Sequence, residues 1–384
     1  MKTLDDFNFK NKVVLLRADL NSDFHKGKII PSERIKESAK TILELKTKGA
    51  KVIILAHQGR KGEEDFISLK QHAKFLSKYT LVKFVEDIIG QKAIAAISLL
   101  KNGEAILLDN VRFLQDEFNP KKGKKNELFK LVELSDVYVN DAFSVCHRQE
   151  SSIVLFPKYL KGFAGRLLEK EINALKQIKM KNSIYILGGA KPEDNMKLLN
   201  KGKVLACGLF GQICSIANGK NLGAQNEYLR KSIKNYDLII KKLKKKLKNV
   251  EIPDDFAIKV EKYISQSSGI RKELDIEDFP SKYEIFDIGK KTLKKYIEEI
   301  KKAPSIFMKG PAGFSADKMF AKGTVELLEA ISKSKGFSLV GGGHLSDTIK
   351  KYNLSGFNYI SLSGGALLRY VAGKKLPGLE ALEN

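Results

Sequence analysis

No apolar stretch in this chain reaches the length of a membrane span, and the first, "VVLL" at 13–16, is broken at once by Arg17 and Asp19. A spanning helix needs about 20 apolar residues, so neither a transmembrane segment nor a secretory signal is expected. Cysteine is scarce: Cys146, Cys207 and Cys214 are the only three. The Cys207–Cys214 interval is too long for a CxxC metal or redox motif, and no paired spacing points to a disulfide framework. Free thiols in a reducing compartment are expected, and with them a cytoplasmic protein. The chain has no low-complexity linker and no short-period repeat. It also has no GxGxxG opening a helix after an early strand, which counts against a dinucleotide-dependent oxidoreductase.

Acidic residues are in deficit. The chain has 45 Asp and Glu against 69 Lys and Arg, a formal net charge of +24. Such an excess suits a nucleic acid, an acidic small substrate or a lysine-rich surface. The lysines are spread along the chain, in patches such as "KKGKK" (121–125) and "KKLKKKLKN" (241–249). In the second, Leu243 and Leu247 stand four apart, the spacing of a buried stripe beneath a solvated basic face. No aromatic residues alternate with the basic ones, and no nucleic-acid signature occurs. The excess is therefore read as a charged, solvated surface, and neither a nucleic acid nor a membrane is an expected partner.

What is present is a long series of apolar runs. In the first half they are "VVLLRADLN" (13–21), "VIILAHQGR" (52–60), "AILLDNVRF" (105–113) and "VYVNDAFSV" (137–145). In the second they are "SIYILGGAK" (183–191), "KVLACGLFG" (203–211), "DFAIKV" (255–260), "YEIFDIGKK" (283–291), "SIFMKGPAG" (305–313), "FSLVGGGH" (337–344) and "YISLSGG" (359–365). Continuous apolar runs separated by helical stretches indicate parallel strands covered on both faces. A chain of 384 residues is comfortable for two domains. The expected fold is α/β, with two doubly wound parallel-sheet domains joined by a hinge helix. That helix is read from "FAGRLLEKEINALKQI" (163–178), where Leu167, Leu168, Ile172, Leu175 and Ile178 keep helical spacing.

Ligands of open parallel sheets bind beyond the carboxyl ends of the strands. The first half places Arg17, His57, Arg60, Arg112, His147 and Arg148 there, and Arg34 opens the helix after the first strand. Arginine forks pair with phosphate or carboxylate in bidentate fashion. The second half places glycines there: 188–189, 208, 211, 310, 313, 341–343 and 364–365. Glycine loops let backbone N–H groups and helix N-termini approach phosphates. Two anionic ligands, each gripped by its own domain, suggest transfer of a charged group.

The segments "RADLN", "SERIK", "AHQGR", "DNVRF", "NDAFSVCHR", "GGAKPEDN", "IPDDF", "DIGKKT", "KGPAGF", "FAKGT", "GGGHLS" and "SGGALLRYVAGKKLPGLEAL" occur in this order over nearly the whole chain. In them the chain resembles the phosphoglycerate kinase family, and "GGAKPED" and "GGGHLS" look most like its archaeal branch. The resemblance implies reversible Mg²⁺-dependent phosphoryl transfer between 1,3-bisphosphoglycerate and ADP, giving 3-phosphoglycerate and ATP. It divides the chain into an acid-substrate domain (1–162), the hinge helix (163–178), a nucleotide-binding domain (179–365) and a C-terminal segment (366–384). That last segment would pack back on the first domain through Leu376, Leu379 and Leu382. A monomer is expected, with a homodimer as the alternative.

Carried over by motif, the resemblance implies that Asp19, Asn21, Arg34, the segment His57, Gln58, Gly59 and Arg60, and Arg112 and Arg148 hold 3-phosphoglycerate. Arg34, Lys191 and Gly342 would attend the transferring group. Lys191, Asn195, Asp317, Gly341, Gly342, Gly343 and His344 would meet the nucleotide. Several positions depart from the family's pattern. Asn195 stands where many members carry a second lysine, with Lys197 nearby as a substitute. Ala316 falls where many have a ribose-binding glutamate, with Asp317 one residue on, and Lys309 replaces a common asparagine. His344 replaces the aspartate that orders Mg²⁺ in many members. Asp347, one turn into the next helix, either favours the positive helix end or holds a metal-bound water.

Simpler roles stand beside these. Arg17 could pair with a neighbouring acid at its strand end. Cys146 and His147 could form a nucleophile pair, but adjacent residues of an extended segment point apart. Asp141 and Asp255 are expected to cap helices or bind backbone amides.

Overall fold

A computed structural model describes residues 1–121, 123–178, 182–261 and 269–383. Lys122 of the "KKGKK" patch lies outside the described residues, as do the expected domain start at 179 and the chain end at 384. The chain separates into two compact units, Met1–Asn173 with Gly373–Asn384, and Ala174–Ala372.

In the first unit, strand Val13–Arg17 is followed by helix Glu33–Thr47, which buries Ile35, Ala39, Ile42 and Leu45 on one stripe. The interval of three to four residues is what keeps those side chains on one face. Six strands, all parallel, form one sheet in the order Lys83–Val85, Ala105–Leu108, Lys51–Leu55, Val13–Arg17, Val137–Asn140, Lys161–Ala164. Val14, Leu15 and Leu16 are fully buried, as strands covered on both faces require. The chain starts in the middle of this sheet and builds outward in both directions. The reversal makes a crevice beyond the carboxyl end of Val13–Arg17.

The second unit repeats the plan. Its parallel strands lie in the order Val250–Glu251, Lys203–Ala206, Ser183–Leu187, Ser305–Lys309, Phe337–Gly341, Tyr359–Ser361. The order reverses between Ser183–Leu187 and Ser305–Lys309, so ligands are expected beyond those two strand ends.

Two expectations need correcting. The runs at 255–260 and 283–291 do not join the parallel sheet. Asp255–Glu261 pairs antiparallel with both Gly269–Asp275 and Ile285–Ile288 in a separate three-stranded sheet. The seven residues between the first two strands are fewer than the dozen or more that a parallel crossover takes. The helix expected over 163–178 forms at Arg166–Lys176, because residues 163 and 164 end the edge strand Lys161–Ala164. Asp141 Oδ1 accepts the first N–H groups of this helix, from Leu167 (2.8 Å) and Leu168 (3.2 Å). Asp255 accepts from Lys291 N and Thr292 N at 2.9 and 2.8 Å. Both acids are helix caps, not catalysts.

Candidate active site

The crevice of the first unit is built by the loops that leave its central strands. Gln58 is fully buried and staples two of them: its Oε1 accepts from Ser22 N at 2.9 Å, and its Nε2 donates to Ser22 O at 2.9 Å. His72 Nε2 adds a further bond to Gln58 Oε1 at 3.0 Å. Both ends of the Gln58 amide are thus used within the protein, and it shapes the crevice from behind. Gly59 N–H donates to Asn21 Oδ1 (3.0 Å), and the Gly59 carbonyl accepts from Arg112 Nη1 (2.7 Å). Arg34 reaches from its helix to the Asn21 carbonyl (3.2 Å) and to Asp19 Oδ2 (3.6 Å). Arg60 is exposed at the rim.

Sequence reasoning missed the hub of this arrangement, Glu150. Its Oε1 accepts from Arg112 Nη2 at 2.7 Å and lies 3.5 Å from Arg148 Nη1, while Oε2 is 4.0 Å from Arg17 Nη2. No spacing rule marks a buried acid two residues beyond an arginine. Arg17 is fully buried and is used inward, on Ala18 O, Ser152 Oγ and His57 Nδ1. Four guanidinium groups (Arg17, Arg34, Arg112, Arg148) thus stand with the carboxylates Asp19 and Glu150, and the buried Glu117 also acts on Arg17. The excess positive charge suits an incoming anion. Burial, reinforced by Arg17, Arg112, Arg34 and Arg148, holds the His57 imidazole well below its ordinary pKa. It is neutral at physiological pH.

In the second unit, the glycines at the reversal point first serve to interlock backbone. Gly188 N–H donates to Lys309 O (2.8 Å), Gly189 N–H to Pro311 O (2.9 Å) and Gly208 N–H to Ala312 O (2.9 Å). A Cβ on Gly188 would overlap the Pro311 carbonyl. Asn195 is fully buried and donates to Gly188 O at 2.9 Å, so its side chain braces this loop. Lys197 Nζ pairs with Asp194 Oδ1 at 2.7 Å, and Lys309 Nζ lies 3.7 Å from Asp194 Oδ2. Lys191 is exposed at the start of the short helix Pro192–Asn195. Three lysines therefore stand around one carboxylate, and burial draws the Lys309 ammonium below its ordinary pKa.

The glycine triplet divides by function. Gly341 packs, since a Cβ there would overlap Leu367 Cδ2, whereas nothing lies within 4 Å of a Cβ on Gly342 or Gly343. Gly342 has φ +116°, a conformation side chains rarely adopt. Helix Gly343–Lys351 starts beyond it, with His344 and Asp347 exposed. His344 also lines a cavity of about 520 Å³ with Gly189, Gln225, Tyr228, Glu284, Phe286 and Phe314. Largely apolar walls with a few polar groups are the usual form of a small-molecule site. Ala316 lines this cavity as well. Asp317 is turned to its own loop, its Oδ1 accepting from Met319 N at 2.8 Å. Glu284 and the aromatic walls were not foreseen: Glu284 and Phe286 come with the antiparallel sheet, Tyr228 comes from helix Ala224–Ser232, and Phe314 was read only as the end of "KGPAGF".

A crevice with surplus guanidinium groups asks for one anion, and a nucleoside-sized cavity beside lysines and an open helix N-terminus asks for another. A small-molecule phosphotransferase meets both demands. The family model described as phosphoglycerate kinase matches residues 4–374. The phosphoglycerate kinase of Methanothermus fervidus is 39% identical, the match covering 99% of this chain and 96% of that one. That of Pyrococcus horikoshii is 38% identical, over 100% of this chain and 97% of its own. The crystal structure of phosphoglycerate kinase from Pyrococcus horikoshii OT3 superposes with a TM-score of 0.89 and covers 100% of this chain. The structure from Coxiella burnetii, 30% identical, gives 0.82 over 99%. The chain belongs to the phosphoglycerate kinase family. It is a phosphotransferase with a carboxyl group as acceptor, and a nucleotide is its other substrate.

Proposed function

We propose that the arginine crevice takes 3-phosphoglycerate or 1,3-bisphosphoglycerate, that the apolar cavity takes the nucleoside of ADP or ATP, and that the phosphoryl group passes reversibly between them. The surplus of guanidinium over carboxylate around Glu150 carries this reading. Asn21, Arg34, Arg112 and Arg148 hold the acid, with His57 donating from its ring. Gln58 and Gly59 keep the loop in place, and Arg60 closes the rim. On the nucleotide side the open N–H groups at Gly342 and Gly343 and the Lys191 ammonium take the phosphates, and His344 borders the cavity. Phosphoryl transfer needs no covalent intermediate with the protein. Positioning and charge stabilisation are what the residues supply.

Mg²⁺ keeps several waters and is held through phosphates and one or two carboxylates. Among the described residues no three His, Cys, Asp or Glu side chains cluster to hold a metal. An ion carried in by the nucleotide needs no such cage. Imidazole is a poor Mg²⁺ ligand, so Asp347, exposed on the helix behind the open glycines, is the oxygen donor assigned to it. When bound, the ion neutralises charge on the phosphates. Asp347→Asn should raise the Mg²⁺ concentration needed at fixed ATP a few-fold, while His344→Ala weakens ATP binding without changing that requirement. Coincident Mg²⁺ titrations for Asp347→Asn and the parent would remove Asp347 from metal ordering.

The three cysteines are buried free thiols, which supports the cytoplasmic reading, and the working unit is a monomer. No helix among the described residues is long and apolar enough to cross a membrane. A coupled assay of ATP-dependent phosphorylation of 3-phosphoglycerate tests the function. Absence of turnover in folded protein would overturn it.

A further inference from the structure

Glu117 sits fully buried on the short helix Gln115–Phe118, where the Arg17 charge acts on it. Its Oε2 accepts from Ser152 N at 2.8 Å, and its Oε1 from Ser152 Oγ at 2.6 Å. Ser152 is fully buried too. Its single hydroxyl hydrogen is committed to Glu117, so toward Arg17 Nε, 2.8 Å away, Ser152 Oγ can only accept. Arg17 gives Nη1 to Ala18 O at 2.7 Å and Nη2 to His57 Nδ1 at 3.0 Å. A guanidinium has no acceptor. His57 Nδ1 must therefore present its lone pair, and the ring proton of the neutral imidazole sits on Nε2.

One member of this chain decides its direction. Arg17 can only donate, which sets the direction at both Ser152 Oγ and His57 Nδ1, whereas Glu117, Ser152 and His57 could each do either. We infer that Glu117 is a positioning residue for the acid substrate: through Ser152 and Arg17 it fixes His57 as the Nε2–H tautomer, a ready donor toward the ligand. The relay rests on the assignment of His57 to the 3-phosphoglycerate site. Arg17 and Glu150 are the charged groups that act on Glu117, and the Tyr138 hydroxyl is held nearby on Ser152 O at 2.8 Å. Networks of this kind couple beyond the sum of their pairs.

The test is ¹⁵N NMR of the histidine rings in the ligand-free full chain, paired with steady-state kinetics. The unaltered protein is expected to show His57 as a single Nε2–H tautomer, and a predominant Nδ1–H form would end the proposal without any variant. In Glu117→Gln the amide NH₂ competes as a donor at Ser152, and in Ser152→Ala the link is cut. Both should show mixed His57 tautomers and a KM for 3-phosphoglycerate raised about five- to tenfold, the worth of one neutral hydrogen bond. The KM for ATP should not move. Asp141→Asn, which alters a buried carboxylate of the same unit that caps helix Arg166–Lys176 and bonds Thr41, should leave the tautomer and both KM values alone. A retained single tautomer in either folded variant, an unmoved KM for 3-phosphoglycerate, or equal effects from Asp141→Asn would each overturn the proposal. His57→Ala separates the underlying reading. If its KM for 3-phosphoglycerate is unchanged, the assignment of His57 to the ligand fails, whatever the tautomer shows.

Discussion

Lys191 acts on Asp194 from further off than its neighbours and, among the described residues, forms no ion pair within 4 Å. Lys197 and Lys309 both lean on Asp194, at 2.7 and 3.7 Å, while Lys191 is exposed at the loop's end. An exposed cation beside glycine backbone can follow charge that develops in a transition state, the role proposed for Lys191. Lys191→Ala should lower kcat by roughly 10²–10³, the usual effect of removing one such partner, with a smaller change in the KM for ATP. Near-normal kcat would take Lys191 out of the mechanism. The reach of sequence reading is visible at this scale. Lys191 and the arginines stood out because cations at strand ends have a stated purpose. The inward turn of Asn195 and the hub role of Glu150 did not, since the first depends on how the Gly188 loop folds and the second on Arg17 and Arg112, distant in the chain. His72 was passed over for the same reason, yet it carries a pH dependence. Burial pushes its pKa down to about 4. The unfolded chain takes a proton there below about 6.5, so the stability His72 supports is complete above that pH and is lost as pH falls toward 4. The full effect is on the order of 3 kcal/mol. His57 acts in the same direction, while Asp141 and Glu117, both pushed up to about 7 by burial, act in the opposite one. Comparing variants isolates the His72 share. Between pH 7.5 and 5, urea midpoints of His72→Gln should fall less than those of the parent protein, and parallel curves would refute the assignment.

The elements that build the second site divide sharply between packing and access, and the glycine triplet after strand Phe337–Gly341 shows the division within three residues. Gly341→Ala drives a methyl into Leu367 and should cost about 1–3 kcal/mol of stability, as overpacking does. Gly343→Ala adds its methyl to open space, so stability should stay within about 0.5 kcal/mol. The same methyl stands where the phosphates are proposed to approach the helix start, and the KM for ATP should rise several-fold. Thermal denaturation and kinetics on the two variants read the contrast directly; a destabilised Gly343→Ala with normal ATP binding would reverse it. From the sequence alone the three glycines were equivalent, because a run of glycine announces close approach without saying what approaches. The parallel sheets were legible, since runs such as Val13–Leu16 must be covered on both faces. The antiparallel sheet was not. Its strand Gly269–Asp275, "GIRKELD", is too polar to read as buried, and an apolar run such as 255–260 says nothing of strand direction. Glu284 and Phe286, which line the cavity proposed for the nucleotide, were lost with it.

Chain order and spatial order part company only at the end of the molecule, where Gly373–Asn384 belongs to the first unit although the second precedes it. The attachment is specific. Gly378 N–H donates to Cys146 O at 2.9 Å, and a Cβ on Gly378 would come within 2.7 Å of Ile153 Cγ2 and 3.0 Å of Cys146 Sγ. Leu376 and Leu382 are buried. The short helix Pro377–Glu380 packs on Ser151–Val154, the segment that follows Glu150 and carries Ser152. The last residues of the chain therefore buttress the loop that holds Arg148, Glu150 and Ser152, and with them the charge arrangement of the acid-substrate crevice. Burying two leucines is worth about 1.5–3 kcal/mol each, so a chain ending at Ala372 should melt several degrees lower. The kinetic consequence should be one-sided. The KM for 3-phosphoglycerate should rise about tenfold or more as the Cys146–Glu150 loop loosens, while ATP affinity, measured by direct titration, stays within a factor of two. Leu382→Ala should reproduce a milder form of the same asymmetry in a chain of full length. If truncation instead weakened ATP and 3-phosphoglycerate equally, the C-terminal segment would be acting on the whole molecule and not as a brace for one loop of the first unit.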